Sequence, residues 1–293
     1  SEWSLREAEK FLDEARDCGV NAFTITGGEP MLHRNFMDIL TGIYERGMYV
    51  EEINTNGYFL RQGVLDQMKE RGIRPLMKIS FDGIGHHDWL RGRKGAEEDA
   101  IRAIRLCRAN DFPVMIQTNV HRHNLDTLLE TAKLMDSLGV WKMRIIRTSE
   151  APRWKENAGD AALGLTEYYD RMLEFASAYM KTGCRMDVII WQFLRLYPVS
   201  GSYGMIPVLY REKEYRDSLP VCNGVRGMVA VAANGNIFPC HQLSGTYELN
   251  GDIPGNVKKE SLKHLLSASQ YLCEVCTTVD KIQEHDRKCG NCK

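Results

Sequence analysis

The chain lacks any apolar run near the roughly 18 residues that a membrane-spanning helix needs, so no membrane is expected as partner. It also lacks the charged, then apolar, then small-residue pattern of a secretory leader. Neither sign of charge is in excess: 38 Lys and Arg stand against 39 Asp and Glu, a net charge of −1. That balance removes the global electrostatic reason to expect nucleic acid or an anionic lipid surface. No internal repeat appears beyond a helix–strand rhythm, and no low-complexity segment. What is present is 293 residues, 43% of them hydrophobic, enough for one large α/β domain with a sizeable core plus a smaller one.

The nine cysteines are unevenly placed. Cys18, Cys107 and Cys184 stand alone and read as small apolar packing residues. Cys222, Cys240, Cys273, Cys276, Cys289 and Cys292 crowd the C-terminal part. In a protein expected to be cytoplasmic, such crowding reads as metal binding rather than disulfide stapling. Cys273, Cys276, Cys289 and Cys292 form a CxxC-x12-CxxC pattern, which suits zinc as well as an iron–sulfur cluster, because thiolates serve both.

From residue 5 to 147 helix and strand alternate. Leu5, Ala8, Phe11, Leu12 and Ala15 recur at helical spacing, and Cys18-Gly19 closes that helix. Strands are predicted at Ala22–Thr26, up to Asn54, at Leu76–Phe81, Pro113–Asn119 and Trp141–Arg147, with helices between them. Such βα units build a parallel sheet whose crossovers are right-handed and whose sites lie at the carboxyl ends of the strands. Residues 148–220 break the rhythm: a helix over Thr166–Lys181, then an irregular aromatic stretch with Trp191, Phe193, Tyr197 and Tyr203. Tyr168, Tyr169 and Phe175 fall at helical spacing and are expected in the core. The segment Met228–Val231 and Asn234–Phe238 reads as a β-hairpin with an Asn-Gly turn, which would bring Cys222 and Cys240 together.

Polar motifs close the strands. Gly27-Gly28-Glu29-Pro30 follows the first; its glycines admit a ligand to the backbone, Glu29 can pair with an ammonium group, and Pro30 fixes the exit. Thr55-Asn56-Gly57 ends the next. Ser80-Phe81-Asp82-Gly83 follows, then His87-Asp88 and Arg91-Gly92. Gln117-Thr118-Asn119 ends the fourth strand, and Arg144 and Arg147 lie on the fifth. His86 and His87 are expected to be polar loop residues. Hydroxyl, amide and carboxylate groups at one mouth suit a ribose, and an arginine suits a carboxylate.

In this order, GGEP, TNG, SxDG with a trailing HDxxRG, and a TN-ended strand, the chain resembles the radical S-adenosylmethionine superfamily over about residues 5–147. The resemblance implies an α/β fold, a partial (β/α)6 TIM-like barrel of parallel strands, followed by a small cysteine-rich β-hairpin/helix extension. The implied division is a barrel core over 1–150, the last barrel unit and a connector over 151–219, and the extension over 220–293. It also implies that Gly27, Gly28, Glu29 and Pro30 hold the methionine amino group, with Asn56, Ser80, Asp82, Arg91, Gln117, Asn119 and Arg147 lining the rest of the cofactor site.

The superfamily's CxxxCxxC loop for the catalytic 4Fe–4S cluster is not in the chain. Two expectations stand: that loop precedes Ser1 in a longer protein, so that the cluster ligands lie outside this chain, or the chain is a non-catalytic scaffold that binds S-adenosylmethionine or a peptide. Cys222-x12-Gly235-x4-Cys240 resembles the opening of a SPASM extension, with Cys289-x2-Cys292 as the start of its final cysteine run. Auxiliary 4Fe–4S clusters are implied there, with zinc as the alternative.

Together the two halves imply an oxidoreductase in which a 5′-deoxyadenosyl radical abstracts hydrogen from a peptide or protein. The implied product is a thioether or carbon–carbon crosslink in a ribosomal peptide, and the implied electron donor a flavodoxin or ferredoxin. A sulfatase-maturing, formylglycine-forming enzyme and a haem or small-molecule enzyme are the alternatives.

Overall fold

The computed structural model describes residues 3–148, 154, 158–205, 227–241, 244–268, 271 and 275. These divide into two compact units: residues 21–205, and residues 3–20 together with those from 227 onward.

The larger unit is one eight-stranded sheet in simple sequence order. The strands are β1 (Ala22–Ile25), β2 (Tyr49–Thr55), β3 (Leu76–Ser80), β4 (Val114–Val120), β5 (Lys142–Arg147) and β6 (Asp187–Ile190), all parallel, then β7 (Leu194–Tyr197) and β8 (Ser202–Met205), antiparallel. The helices between them are α2 (Phe36–Glu45), α3 (Gln62–Glu70), α4 (His87–Arg91), α5 (Ala96–Ala109), α6 (Leu128–Ser137) and α7 (Leu165–Tyr179). Sequential order with right-handed crossovers places every crossover helix on the same face of the sheet. The other face is left without a helical layer, as in the interior of a barrel, but β1 and β8 are not paired, so the sheet stays open.

Side-chain chemistry follows those two faces. Ile53, Met77, Ile79, Ile116, Met143, Ile145, Val188 and Ile190 face the helices and are fully buried. Each contributes on the order of 1.5–3 kcal/mol by leaving water. The opposite parity carries Glu52, Asn54, Ser80, Gln117, Asn119, Lys142, Arg144 and Asp187, polar and half-buried, interspersed with Leu76, Met115, Ile146 and Ile189. A barrel core of normal kind would be filled with branched apolar residues here. This inner face is instead built to meet polar groups.

The stretch after α7 contains β6, the last parallel strand, and then β7 and β8 where the aromatic residues are expected to be irregular. The sequence signal is weak because β7 and β8 pair antiparallel at the end of the sheet, where one residue of β7 and three of β8 are exposed and no continuous apolar run is required. Tyr168 and Phe175 are buried, whereas Tyr169 is exposed.

The second unit joins α1 (Leu5–Asp17) to the C-terminal elements β9 (Ala230–Val231), β10 (Asn236–Phe238), α8 (Ser244–Asn250), β11 (Gly255–Asn256) and α9 (Leu262–Ser267). The expected hairpin is β9 and β10, and β11 adds a third strand. The sequence reading placed α1 with the barrel. Its contacts lie elsewhere: the Glu14 carboxylate accepts from the Leu262 N–H at 2.7 Å, satisfying one orphan donor of α9. Lys258 Nζ lies 3.2 Å from the Glu7 carboxylate and over the Trp3 ring. At its own start α1 has a capping box, Ser4 with Glu7.

Candidate functional site

The GGEP turn leaves β1 with Gly27 at φ +139, a conformation that L side chains rarely adopt, and nothing lies within 4 Å of where a Cβ would project. The backbone is therefore bare to an approaching ligand. Glu29 follows, 9% exposed. The Thr55 hydroxyl lies 2.8 and 2.9 Å from its two carboxylate oxygens, the Asn56 N–H donates at 2.9 Å, and the Met31 N–H at 3.4 Å. A carboxylate has about four acceptor directions, so a charge held in this way keeps room for one more donor. Pro30 opens a single turn, Pro30–Leu32, that aims the chain away.

The TNG turn serves that carboxylate. Asn56 contributes its backbone N–H, while its side chain accepts from the Tyr58 N–H and shapes the turn. A Cβ on Gly57 would sit 2.8 Å from Ala103 Cβ, so only glycine lets α5 pack this closely. Arg102 of α5 donates to the Gly57 and Leu60 carbonyls.

Asp82 is fully buried and its carboxylate is saturated. Oδ1 accepts from the Asn119 N–H and side-chain amide at 2.9 and 3.0 Å; Oδ2 accepts from Arg91 Nε and Nη2 at 2.9 and 2.7 Å and lies 3.0 Å from His87 Nδ1. Burial would raise its pKa, but the His87 hydrogen bond, the Arg91 charge and the Asn119 N–H outweigh it and hold the carboxyl below the usual range. In this arrangement Asp82 does not itself reach a ligand. It holds Arg91 and Asn119 where they stand. His87, expected in a polar loop, is buried against Asp82 and stacked on Phe81. Asp88 takes the Gly95 and Glu97 N–H groups at the start of α5. The HDxxRG run is thus a latch around one buried carboxylate. Asn124, which the sequence reading passed over, completes it by donating to the Asp82 and Asn119 carbonyls.

Ser80, Gln117 and Arg144 are Cα partners on adjacent parallel strands and share one rung of the inner face. Asn54, Lys78, Met115, Lys142 and Asp187 form the rung below. Lys78 lies 2.6 Å from the Glu52 carboxylate, and burial, only partly offset by Glu52, pulls its pKa down. Arg147 is not brought to this face. It has the parity of Ile145, on the outer side, and donates to the Leu163 carbonyl at 2.9 Å. The one-residue step from Ile146 flips the side chain across the sheet.

Beyond β4, His121 is buried with neither ring nitrogen hydrogen-bonded, among Trp89, Trp154, His86 and His123. Burial pushes its pKa down to about 4. No sequence pattern marked it.

Among the described residues no group of three or more His, Cys, Asp or Glu side chains is placed to hold a metal ion. Cys222, Cys273, Cys276, Cys289 and Cys292 lie outside the described residues; Cys240 follows the hairpin and is half-buried. Cys107 is fully buried, which pushes its thiol up to about 12, as suits a packing residue.

A family model described as the radical SAM superfamily matches residues 2–135. The chain is 24% identical to the AdoMet-dependent heme synthase of Methanosarcina barkeri over 100% of this chain and 80% of that protein. In fold it is similar to Streptococcus suis SuiB bound to its precursor peptide SuiA, with a TM-score of 0.70, 14% identity and coverage of 92% of this chain and 59% of SuiB. It is also similar to anSMEcpe with bound AdoMet and the Kp18Cys peptide, with a TM-score of 0.67, 16% identity and coverage of 99% and 77%. The chain thus spans about three-fifths of the length of SuiB. The motif order, the open parallel sheet that carries it and the family match agree over residues 2–135, where the chain matches the radical SAM superfamily model.

Proposed function

We propose that this chain carries the barrel and the cysteine-rich extension of an enzyme that binds S-adenosylmethionine at the GGEP rim and acts on a peptide or protein held against the polar inner face. The observation that carries the reading is the Glu29 carboxylate, fixed by Thr55 and Asn56 beside the bare backbone of Gly27 with acceptor capacity to spare. That donor set fits an ammonium group, and Ser80, Gln117, Asn119 and Arg91 offer hydroxyl, amide and guanidinium groups to the rest of the cofactor. S-adenosylmethionine, when bound and reduced, supplies hydrogen-atom abstraction. The residues of the chain orient it: Glu29 fixes the amino end, Asp82 sets the angle of Arg91 and Asn119, and the apolar outer layer keeps the rim rigid.

The cluster-binding cysteines of the reading are Cys222, Cys240, Cys273, Cys276, Cys289 and Cys292, of which Cys240 is among the described residues. The finer reading is oxidative crosslinking of a ribosomal peptide, by thioether or carbon–carbon bond, with a flavodoxin or ferredoxin as donor. SuiB, solved with a precursor peptide, and anSMEcpe, solved with a peptide and AdoMet, support it. A haem-precursor reading is favoured by one observation, the heme synthase likeness across the whole chain.

The test is equilibrium dialysis of S-adenosylmethionine against wild type and Glu29→Gln. A loss of about 1.5–3 kcal/mol in binding is expected from removing a charge-assisted bond. Unchanged affinity removes Glu29 from the cofactor site. With the reduced full-length protein, 5′-deoxyadenosine release stimulated by peptides and not by tetrapyrroles supports the peptide reading; the reverse pattern supports the second.

A further inference from the structure

Resting on the reading above, we infer that Arg144 is the receptor for a single carboxylate of the peptide substrate, supplied by an Asp or Glu side chain or by a free C-terminus. Arg144 sits on the rung with Ser80 and Gln117, whose Cα atoms are its neighbours across parallel strands roughly 4.8 Å apart. The three side chains share the inner face, half-buried. Arg144 Nε is buried and has no hydrogen-bond partner, and neither Ser80 nor Gln117 has a side-chain hydrogen bond among the described residues. Of these three donor-bearing side chains only Arg144 has a buried polar atom left without a partner, and a buried unpaired guanidinium N–H is an unmatched demand for an acceptor.

The charges say what kind of acceptor. Lys78, one rung below, is matched by Glu52 at 2.6 Å. Arg144 has no such partner among the described residues; Asp187, diagonal to it, forms no ion pair with it. Its charge acts on Lys78 as a like charge. The rung therefore carries about one unneutralised positive charge, which a monoanion balances and a doubly charged phosphate exceeds. The Trp191 ring lies 4.9 Å from the guanidinium carbon, covering one face and leaving the planar edge for a bidentate carboxylate. Asn54, on the lower rung, has a buried, unpartnered Oδ1, an acceptor suited to a substrate N–H beside that carboxylate.

The experiment uses the full-length protein with S-adenosylmethionine and a random hexapeptide pool, half of it amidated at the C-terminus. Peptides retained on the immobilised protein are sequenced by mass spectrometry, and S-adenosylmethionine affinity is measured in parallel. Wild type is expected to enrich Asp- or Glu-containing or free-acid peptides by about tenfold, the worth of one charge-assisted bond. Comparing amidated with free-acid peptides identifies the source. Arg144→Gln is expected to lose the enrichment, Arg144→Lys to keep part of it, and Arg144→Glu to turn it toward Lys and Arg, with cofactor affinity unchanged in all. Retention of part by Arg144→Lys separates loss of charge from loss of fold. Enrichment of peptides without acidic bias, or a bias that survives Arg144→Gln, overturns the inference and leaves the peptide reading standing. A fall in cofactor affinity with peptide selection intact reassigns Arg144 to the cofactor and overturns it. A wild type that binds cofactor but retains no peptide refutes both.

Discussion

Replacing Asp82 with Asn tests whether the HDxxRG latch is built on charge. Asn is isosteric, so its Oδ1 can still accept from the Asn119 N–H and side-chain amide. What it loses is Oδ2 as a charged acceptor for Arg91 Nε and Nη2 and for His87. Arg91 is 30% exposed and partly recovers its hydration, so its share is about 1 kcal/mol; His87 Nδ1 keeps the backbone N–H of residue 82 as a donor, but the new amide sets an N–H donor against Arg91 in place of a charged acceptor, about another 1–2 kcal/mol. The expected cost is ~2–3 kcal/mol. Asp82→Ala also strands the Asn119 N–H and leaves a void, for about 3–5 kcal/mol. The sign in pH follows from a depressed carboxyl. Its stabilisation is fully present above the unfolded value near 4 and is lost as pH falls through the lower folded value. The gap between wild type and Asp82→Asn should therefore hold from pH 7 to about 5 and close in stronger acid. Urea unfolding by circular dichroism, with hydrogen exchange at the Asn119 amide, measures both. A cost under about 0.5 kcal/mol at pH 7, or a gap that does not narrow in acid, refutes the reasoning.

Three further outcomes are expected. Gly57→Ala forces a Cβ into Ala103 at a backbone φ of +79, so the unit should lose about 2 kcal/mol or more in urea unfolding, and a neutral result would mean that α5 is not seated on the turn. The His121 ring should titrate by NMR near pH 4, because burial disfavours its charged form. With a lowered folded value, stability should fall as pH drops from about 6.5 toward 4, a loss that His121→Phe removes; a midpoint near 6.5 would show the ring to be solvated. Arg147→Gln should leave S-adenosylmethionine affinity unchanged in dialysis, since its side chain lies on the outer face and meets the Leu163 carbonyl; a tenfold loss would place it in the site after all.

The division between sequence and structure runs along the range of the interactions. Periodicity and turn residues marked the five βα repeats up to Arg147, because each strand there is buried on its helix side and each turn needs its own local chemistry. The GGEP, TNG and SxDG groups stood out for the same reason: they sit at strand ends, where polar residues interrupt apolar runs. Parity was harder. Nothing local distinguishes Arg144 from Arg147, three residues on, and only the register of β5 against β4 puts one inside and the other outside. Asp82 reads from sequence as a ligand-facing carboxylate. Only the packing of α4 and β4 around it shows that its valences are already taken by Arg91, His87 and Asn119. Likewise α1 resembles any first helix of a βα series, yet it lies with elements from residues 227 onward, because Glu14 and Glu7 find their partners there. The sequence by itself determined which residues carry the chemistry. Tertiary structure decided which of them point the same way, since side-chain direction depends on pairing between strands far apart in the chain.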